Sequence, residues 1–299
     1  MLETAKAERN LWSEYSVLHQ KHPKSDSEAK VCFYNHNSEF IIRGSKTPNP
    51  ELAVVIPAFN ESDLIARTLA GINSALLHSD NKSVSVIVVD NASTDSTAEI
   101  ASTFGATVVR ENKKGFSYAR QAGFEALPSS VRYFFSTDAD TVVPHNWFSS
   151  HLESLTSQDD VVLTYGKIKP IIDQNKAFFK RFLLFEYNSM AKLLHLLRRE
   201  SKPHSYGGAN MAYNKNAVLE CGGYNLSLTY SEDTDIMERL SHIGSIVRVD
   251  NEILTSARRI VGNGILRHQL HRINRNIQYM IIGRDIDKLP QNPEYPDYR

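Results

Sequence analysis

The 299-residue sequence has few cysteines, no excess charge of either sign and no long apolar run. Cys32 and Cys221 are too few for a disulfide framework and lack metal-ligand spacing, so we expect a soluble cytoplasmic protein. The 34 basic residues equal the 34 acidic residues in number, which argues against a nucleic-acid binder that must neutralise phosphates. Because no run of about 18 apolar residues occurs, we expect no helix that spans a bilayer.

Three parts are predicted along the chain. Residues 1–50 form an N-terminal appendage with a helix and a possible hairpin, which ends in a proline-containing breaker at 47–50. Residues 51–255 form the main domain. Residues 256–299 form a basic C-terminal helix and a polar tail.

The main domain has the pattern of an α/β fold. Short β-branched or aromatic runs alternate with amphipathic helical segments, which predicts a mostly parallel central sheet flanked by helices. The predicted strands are 52–56, 84–89, 107–109 and 132–136, and the helices between them are 62–77, 96–104 and 116–127. Further helices are predicted at 147–156 and 233–242, and further strands at 161–169 and 245–249. Ligands of such sheets bind beyond the carboxyl ends of the strands.

Polar residues follow the first two predicted strands at their carboxyl ends. Pro57 marks the exit of the first strand because it cannot donate to a sheet ladder, and Glu61 or Ser62 can cap the helix that follows. A plain strand-to-helix turn also explains these residues. Asp90 ends the second strand, where a carboxylate needs a partner such as a ribose hydroxyl or a base N–H.

Asp138 and Asp140 follow the fourth predicted strand. Residues i and i+2 of an extended segment point the same way, so both carboxylates can face one cation. Two hard oxygen ligands that leave positions for water and phosphate oxygens suit Mg²⁺ or Mn²⁺. After an apolar strand in this fold, we prefer a metal site to a solvated turn.

A further acidic cluster, EDTD at 232–235, precedes an amphipathic helix. Acids at a helix start cap its amides and interact favourably with its dipole. Alternatively, one carboxylate of the cluster serves as a general base toward an acceptor hydroxyl. Position in the sequence does not decide between these two interpretations.

Taken together and in this order, the clusters resemble those of the family 2 glycosyltransferases, which have the Rossmann-like GT-A fold. The resemblance covers roughly residues 52–249. The motifs that carry it are IPAFNE at 56–61, VVDNASTD at 88–95, GFSYARQAG at 115–123, DAD at 138–140 and EDTD at 232–235.

The resemblance implies a nucleotide-binding half, 51–141, and an acceptor half, 142–255. Asp90 would face the base, Arg120 would help to hold the nucleotide, and Asp233 would be the catalytic base. Asp138 and Asp140 would bind Mn²⁺ or Mg²⁺ on the diphosphate. The full set implied to contact the donor is Pro57, Ala58, Phe59, Glu61, Asp90, Arg120, Asp138, Ala139 and Asp140. The set implied to line the acceptor pocket is Gly207, Gly208, Ala209, Asn210 and Glu232.

The implied activity is a metal-dependent, inverting sugar transfer from a nucleotide-diphosphate sugar, with a UDP-sugar favoured, to a hydroxyl of a glycan or lipid-linked acceptor. A nucleotidyltransferase is an alternative, but it would have a glycine-rich, arginine-containing loop after the first strand, where this chain has PAFN at 57–60. A catalytically silent nucleotide-sugar-binding protein is a second alternative. The presence of Asp138, Asp140 and Asp233 argues against it.

Two basic amphipathic segments, 177–199 and 256–284, suggest the nature of the acceptor. The second contains six arginines and two histidines and no acid, whereas residues 51–160 contain 14 acids against seven lysines and arginines. Such segments bind anionic lipid at the inner face of a membrane, or they pack as core with a solvated basic face. Two further contacts remain open: a histidine that completes the metal shell, and Arg258 and Arg259 reaching the diphosphate from a C-terminal loop.

Overall fold

The computed structural model describes residues 49–80, 83–171, 208–228 and 231–256, all of which belong to one compact unit. The predicted appendage up to residue 48, the segment 177–199 and the chain after residue 256 lie outside the described residues. The division into three parts therefore stays a prediction. Within the described ranges, every helix falls short of the length and apolarity needed to cross a bilayer.

Strands and helices alternate through the first half of the described chain, as predicted. In chain order the elements are β1 (Leu52–Ala58), α1 (Ile65–Leu77), β2 (Val84–Asp90), α2 (Thr97–Thr103), β3 (Thr107–Arg110), α3 (Phe116–Glu125), β4 (Tyr133–Ser136), β5 (Thr141–Val142), α4 (Trp147–Leu155), β6 (Val161–Ile171), β7 (Met211–Asn214), α5 (Lys215–Glu220), α6 (Glu232–Leu240) and β8 (Ser245–Ser256).

The eight strands form one mixed sheet in the order β3-β2-β1-β4-β7-β6-β8-β5. Neighbours from β3 to β4 are parallel, and so are β6 and β8, whereas β7 runs antiparallel to both β4 and β6. The short strand β5 pairs antiparallel with the end of β8. The prediction of an α/β fold with a mostly parallel sheet is therefore confirmed, and the antiparallel insertion of β7 is an addition to it.

Several predicted boundaries differ from the structure. Helix α1 begins at Ile65 rather than at residue 62, because the Glu61 carbonyl accepts hydrogen bonds from the N–H groups of both Leu64 and Ile65 at 2.9 Å. Strand β8 continues to Ser256, seven residues beyond the predicted end, because it pairs with both β6 and β5. Strands β5 and β7 and helix α5 had not been predicted.

The core lies on both faces of the sheet, which explains why β1 and β2 are continuous apolar runs rather than alternating ones. On one face, Val54 and Ile56 pack with residues of α1, α2 and α4. On the other face, Ala53 and Val55 pack with residues of α3, α5 and α6. The polar residues Asn60, Asp90 and Asp138 lie at or just after the carboxyl ends of β1, β2 and β4, which this double core fixes.

Helix α3 lies very close to the sheet at Gly123. An ideal Cβ on this residue would be 2.3 Å from Val55 Cγ1 and 3.0 Å from Val89 Cγ2, both in the core. A side chain cannot fit there unless helix and sheet separate. Gly123 therefore sets the height of α3 above the sheet, and with it the height of Arg120, one turn earlier on the same helix.

Replacing Gly123 by alanine is expected to destabilise the protein by about 1–3 kcal/mol, because the added methyl group overpacks the core between α3 and the sheet. Gly71 offers a matched control, since it also lies inside a helix but its Cβ would meet Val142 Cγ1 at an ordinary 3.5 Å. Gly71→Ala is expected to be neutral or to stabilise by up to about 1 kcal/mol through helix propensity. Urea unfolding measures both, and equal effects would contradict the assigned close approach.

Candidate functional site

The residues predicted to contact the nucleoside lie together at one edge of the sheet. Ala58 and Asp90 are paired in the parallel register of β1 and β2, and the N–H of Asn91 donates to the Ala58 carbonyl at 2.8 Å. Pro57 is buried within β1, which continues to Ala58 instead of ending before the proline as predicted, and Phe59 follows the strand, half-buried. The strand order therefore brings the IPAFNE motif and Asp90 side by side, as expected for parallel neighbours.

Hydrogen bonds join the loops that follow β1 and β2. The N–H of Asn60 donates to Ser93 Oγ at 3.0 Å, and Asn60 Oδ1 accepts from the N–H of Thr94 at 2.8 Å. Asn60 has a positive φ of 53°, a conformation that asparagine tolerates better than most residues. The N–H of Glu61 donates to Thr97 Oγ1 at 2.8 Å. The side chain of the buried Glu61 does not cap α1 as predicted, because the helix begins only at Ile65. The Glu61 backbone instead ties the turn before α1 to the first residue of α2.

Asn91 joins the same edge to the loop that follows β3. Its Nδ2 donates to the carbonyls of Glu111 and Lys113 at 3.1 and 2.7 Å, and its Oδ1 accepts from the N–H of Gly115 at 2.8 Å. Asp90 itself is buried and accepts from the N–H of Ser93 at 3.2 Å. The sequence interpretation missed Asn91, although an asparagine directly after a strand is a typical signal for side-chain bonds to loop backbone.

Lys114 is a second residue of this edge that the sequence interpretation missed. Its Nζ lies 4.5 Å from the centroid of the Phe59 ring, a distance at which a cation and an aromatic face attract each other. The cation therefore lies next to one of the residues predicted to contact the donor.

The DAD segment forms a tight turn between β4 and β5. Its backbone is fixed by threonine hydroxyls: Thr68 Oγ1 donates to the Ala139 carbonyl at 2.8 Å, and Thr141 Oγ1 donates to the Asp138 carbonyl at 2.7 Å. The Asp138 side chain is 31% exposed. Asp140 is buried, and its Oδ1 accepts from Thr255 Oγ1 at 3.3 Å. The two predicted metal ligands thus share one rigid turn.

The carboxylates of Asp138 and Asp140 are suitable ligands for a divalent cation that also binds a phosphate-containing molecule. Carboxylate oxygens are the donors that Mg²⁺ and Mn²⁺ prefer, and both ions keep positions for water and phosphate oxygens. The described ranges contain no group of three or more histidine, cysteine, aspartate or glutamate side chains that would enclose an ion by themselves. Asp138 and Asp140 therefore suit a metal that a phosphate-containing ligand helps to hold.

Arg120 is a deeply buried charged residue of the site, with 3% of its surface exposed. Its Nε donates to Glu232 Oε1 and its Nη2 to Asp138 Oδ1, both at 3.1 Å, and its Nη1 donates to Ser136 Oγ. One guanidinium group therefore connects α3, the end of β4, the DAD turn and the start of α6.

Glu232 is buried beside this guanidinium. Burial raises the pKa of its carboxyl to about 7, and the neighbouring charge of Asp233 adds to this rise, while the Arg120 charge opposes it. Burial lowers the pKa of the Arg120 guanidinium. The negative charges of Asp138 and Glu232, the two acids that pair with it, nevertheless hold this pKa above its ordinary value. The arginine therefore remains charged at every relevant pH.

The acids of the EDTD cluster have separate partners. Glu232 pairs with Arg120, and Asp235 pairs with Arg239 one turn later at 2.6 Å. The Asp233 carboxylate accepts from the N–H of Thr234 at 2.8 Å. Helix capping and ion pairing thus explain much of this cluster, and the partly buried Asp233 lies next to the residue that joins α6 to the DAD turn.

The predicted acceptor-pocket loop is described from Gly208 onward, and Gly207 lies outside the described residues. A Cβ on Gly208 would lie 2.6 Å from Arg120 Nη2 and 2.8 Å from its Cζ, so the backbone covers the guanidinium at this point. Ala209 is buried in the core. Gly208 and Glu232, two of the predicted acceptor-pocket residues, therefore meet on Arg120.

Asn210 lies deeper and joins a buried polar network. Its Oδ1 accepts from Trp147 Nε1 at 2.9 Å and from His151 Nε2 at 3.1 Å, and its Nδ2 donates to the Lys167 carbonyl and to Asn251 Oδ1. Because Oδ1 can only accept, His151 carries its proton on Nε2 and accepts from Thr164 Oγ1 at Nδ1, 2.8 Å away. The sequence interpretation missed this network.

Comparison with known protein families supports the interpretation of these motifs. The family model described as "Glycosyl transferase family 2" matches residues 53–222, more than half of the chain. A curated relative, the low-salt glycan biosynthesis hexosyltransferase Agl6 of Haloferax volcanii, is 33% identical over 116 residues. That match covers 39% of this chain and 27% of the relative, so the chain spans only about a quarter of its length.

Two solved structures share the fold at low sequence identity. Glucosyl-3-phosphoglycerate synthase from Mycobacterium tuberculosis, in complex with Mn²⁺, UDP-glucose and phosphoglyceric acid, has a TM-score of 0.51 at 18% identity, covering 68% of this chain and 70% of that one. The mannosyltransferase PcManGT from Pyrobaculum calidifontis, in complex with GDP-Man and Mn²⁺, has a TM-score of 0.51 at 16% identity, covering 83% and 71%. The predicted GT-A fold is therefore confirmed.

The buried network predicts how stability depends on pH. Burial lowers the pKa of His151 to about 4, whereas histidine in the unfolded chain titrates near its ordinary value of 6.5. Below pH 6.5 the unfolded chain therefore binds a proton at His151 that the folded protein excludes. This difference lowers the free energy of unfolding by about 3 kcal/mol as the pH falls from 6.5 to 4. Urea unfolding across that range is expected to show a weaker pH dependence in His151→Gln than in the parent.

The comparison between variant and parent is needed because Glu232, whose pKa is raised, changes stability in the opposite direction between pH 4.5 and 7. Glu232 is present in both proteins, so its contribution cancels. Identical pH slopes in the two proteins would mean that His151 is not held neutral by the fold.

Proposed function

Because the chain belongs to glycosyl transferase family 2, we propose that it is a glycosyltransferase. It would transfer a hexose from a nucleotide-diphosphate sugar to a hydroxyl of a glycan or lipid-linked acceptor, with inversion at the anomeric carbon. The observation that carries the proposal is the contact of Arg120 with both Asp138 and Glu232. This contact brings the DAD turn, which would bind the donor, next to the start of α6, where Asp233 would accept the proton.

The donor would lie along the edge formed by the loops after β1, β2 and β3. Asp90 is the buried acid there and would accept from the base, while Phe59 offers an aromatic face and Lys114 a positive charge. The neighbours crystallised with UDP-glucose and with GDP-Man support a nucleotide sugar as the donor. We favour UDP over GDP on the sequence resemblance.

Asp138 and Asp140 would hold Mn²⁺ or Mg²⁺ in this proposal. When bound, the ion would supply positive charge to stabilise the leaving diphosphate. The Mn²⁺ in both crystallised neighbours supports this assignment. The protein's part is to keep both carboxylates in one turn, which the hydroxyls of Thr68 and Thr141 do.

Asp233 would accept the proton of the attacking acceptor hydroxyl. A base that acts from the side opposite the leaving diphosphate gives inversion, and its position beside Glu232 keeps it next to the residue that joins the two parts of the site. The predicted boundary of the acceptor pocket remains Gly208, Ala209, Asn210 and Glu232, together with Gly207, which lies outside the described residues. Membrane contact through 177–199 and 256–284 remains a separate proposal, because both segments lie outside the described residues except for Ser256.

Nucleotide and metal binding are expected to raise the melting temperature together. UDP or GDP at about 100 times its Kd, in the presence of Mn²⁺, should shift the melting temperature by about 5 °C or more. Asp138→Asn should lose the part of the shift that requires Mn²⁺. Asp159→Asn removes a carboxylate from an exposed position after α4 and should behave like the parent. A metal-independent shift of equal size in all three proteins would contradict the assigned metal ligands.

Asp233→Asn is expected to lower kcat by about 100-fold or more, because the neutral amide cannot accept the proton in the transition state. The Kd for UDP in the presence of Mn²⁺ should stay within about twofold of the parent, since Asp233 is assigned no donor contact. Glu238→Gln, on the same helix, is the control and should keep parental kcat. Equal losses of transfer and of donor binding would overturn the assignment of Asp233 as the base.

A further inference from the structure

We propose that Arg120 is a positioning residue, which holds the Asp138 carboxylate and the start of α6 in a fixed relation, rather than a ligand of the nucleotide. The inference rests on the proposed function, because that proposal gives Asp138 and Asp233 their roles. It revises the expectation from the family resemblance that Arg120 itself helps to hold the nucleotide.

All three guanidinium nitrogens of Arg120 donate to acceptors of the protein itself. Nε donates to Glu232, Nη2 to Asp138 and Nη1 to Ser136, and only 3% of the residue is exposed. These bonds use three of the five N–H groups of the guanidinium, and burial leaves little of the remaining two open to a nucleotide phosphate. Every nitrogen of the Arg120 guanidinium therefore already bonds to a residue of the site.

The guanidinium is also covered by backbone. A Cβ on Gly208 would come within 2.6 Å of Nη2 and 2.8 Å of Cζ, so the loop that enters β7 packs directly on the planar group. Gly123 fixes the helix that carries Arg120 against the sheet on the other side. The side chain of Arg120 is thus enclosed between its own helix and this loop, and it has little freedom to turn toward a ligand.

The contact with Asp138 orients that carboxylate. Nη2 bonds to one of its two oxygens, Oδ1, and the group keeps 31% of its surface exposed, so the ion pair leaves the carboxylate accessible. The contact with Glu232 acts at the first residue of α6, next to Asp233. The planar fork of an arginine can make these contacts at once, which the single point charge of a lysine cannot.

Two consequences separate this role from direct nucleotide binding. If Arg120 acts by orienting Asp138, its loss weakens the apparent affinity for Mn²⁺, and a higher concentration of Mn²⁺ restores UDP binding. If Arg120 bonds to the nucleotide, UDP binding remains weak at any concentration of Mn²⁺. In addition, the Arg120–Glu232 contact predicts that substitutions of these two residues have non-additive effects on kcat.

The experiment compares the parent with Arg120→Lys, Glu232→Gln and the double variant. Arg132→Lys, at the opposite end of β4, is the matched control and should match the parent throughout. Calorimetry measures the Kd of UDP, or of GDP if the parent prefers it, over a series of Mn²⁺ concentrations, and steady-state assays measure kcat. Circular dichroism confirms the folding of each variant.

For Arg120→Lys we expect an apparent Kd for Mn²⁺ raised about tenfold, a nucleotide Kd that returns to within about twofold of the parent at saturating Mn²⁺, and a kcat lowered about 30-fold. For Glu232→Gln we expect a lowered kcat with unchanged nucleotide and Mn²⁺ affinities. The double variant should be no more than about twofold worse than Arg120→Lys in kcat. These results together support the positioning role.

A nucleotide Kd that stays raised at saturating Mn²⁺ in Arg120→Lys would overturn the inference and assign Arg120 to the nucleotide. If Arg120→Lys does not fold, Glu232→Gln still decides, because a parental kcat in that variant would also overturn it. A parent that binds neither UDP nor GDP with Mn²⁺ would instead overturn the proposed function. The two failures are therefore distinguishable.

Discussion

The guanidinium charge buried at the carboxyl end of β4 constrains the positions of the segments that surround it. A charge removed from water must be paired and hydrogen-bonded, and Arg120 meets this requirement with partners from the DAD turn, from β4 and from α6. The most distant of these partners, Glu232, lies 112 residues from Arg120 in the sequence. The fold of these segments thus provides each nitrogen of the guanidinium with a hydrogen-bond acceptor.

The sheet positions the loops of the site, and polar side chains bond these loops and the two halves of the sheet together. The parallel strands from β3 to β4 place the polar loops along one edge, where Asn60 and Asn91 bond them to one another. The antiparallel β7 then joins this half to β6 and β8, and Asn210, just before β7, anchors the junction with Trp147, His151 and Asn251. Polar side chains therefore fix both the edge of the sheet and the junction between its two halves.

Local patterns in the sequence predicted much of the fold. Val54 and Val86 belong to apolar β-branched runs whose period and length indicate buried strands, and the acids at 232–235 mark the start of α6. The pair Asp138 and Asp140 was recognisable because it follows such a run. Strand β7 was not predicted, because its four residues have no distinctive local pattern and owe their conformation to pairing with β4 and β6.

Partners that are distant in the sequence were beyond prediction from it. Nothing near Arg120 in the chain indicates Glu232, and nothing near Asn210 indicates His151, because only the fold brings such groups together. The roles assigned to Asp90, Asp233 and the acceptor-pocket residues stay predictions, because they concern ligands rather than the chain itself.

The bonds that join the loops at the nucleoside edge have a thermodynamic consequence. Asn60, Asn91 and Ser93 order these loops through side-chain bonds to backbone that form as the protein folds. A molecule that binds there meets a surface whose conformational entropy has already been lost. Its own binding free energy is therefore available for discrimination among bases and sugars, and the edge acts as a rigid template rather than as a surface shaped by its ligand.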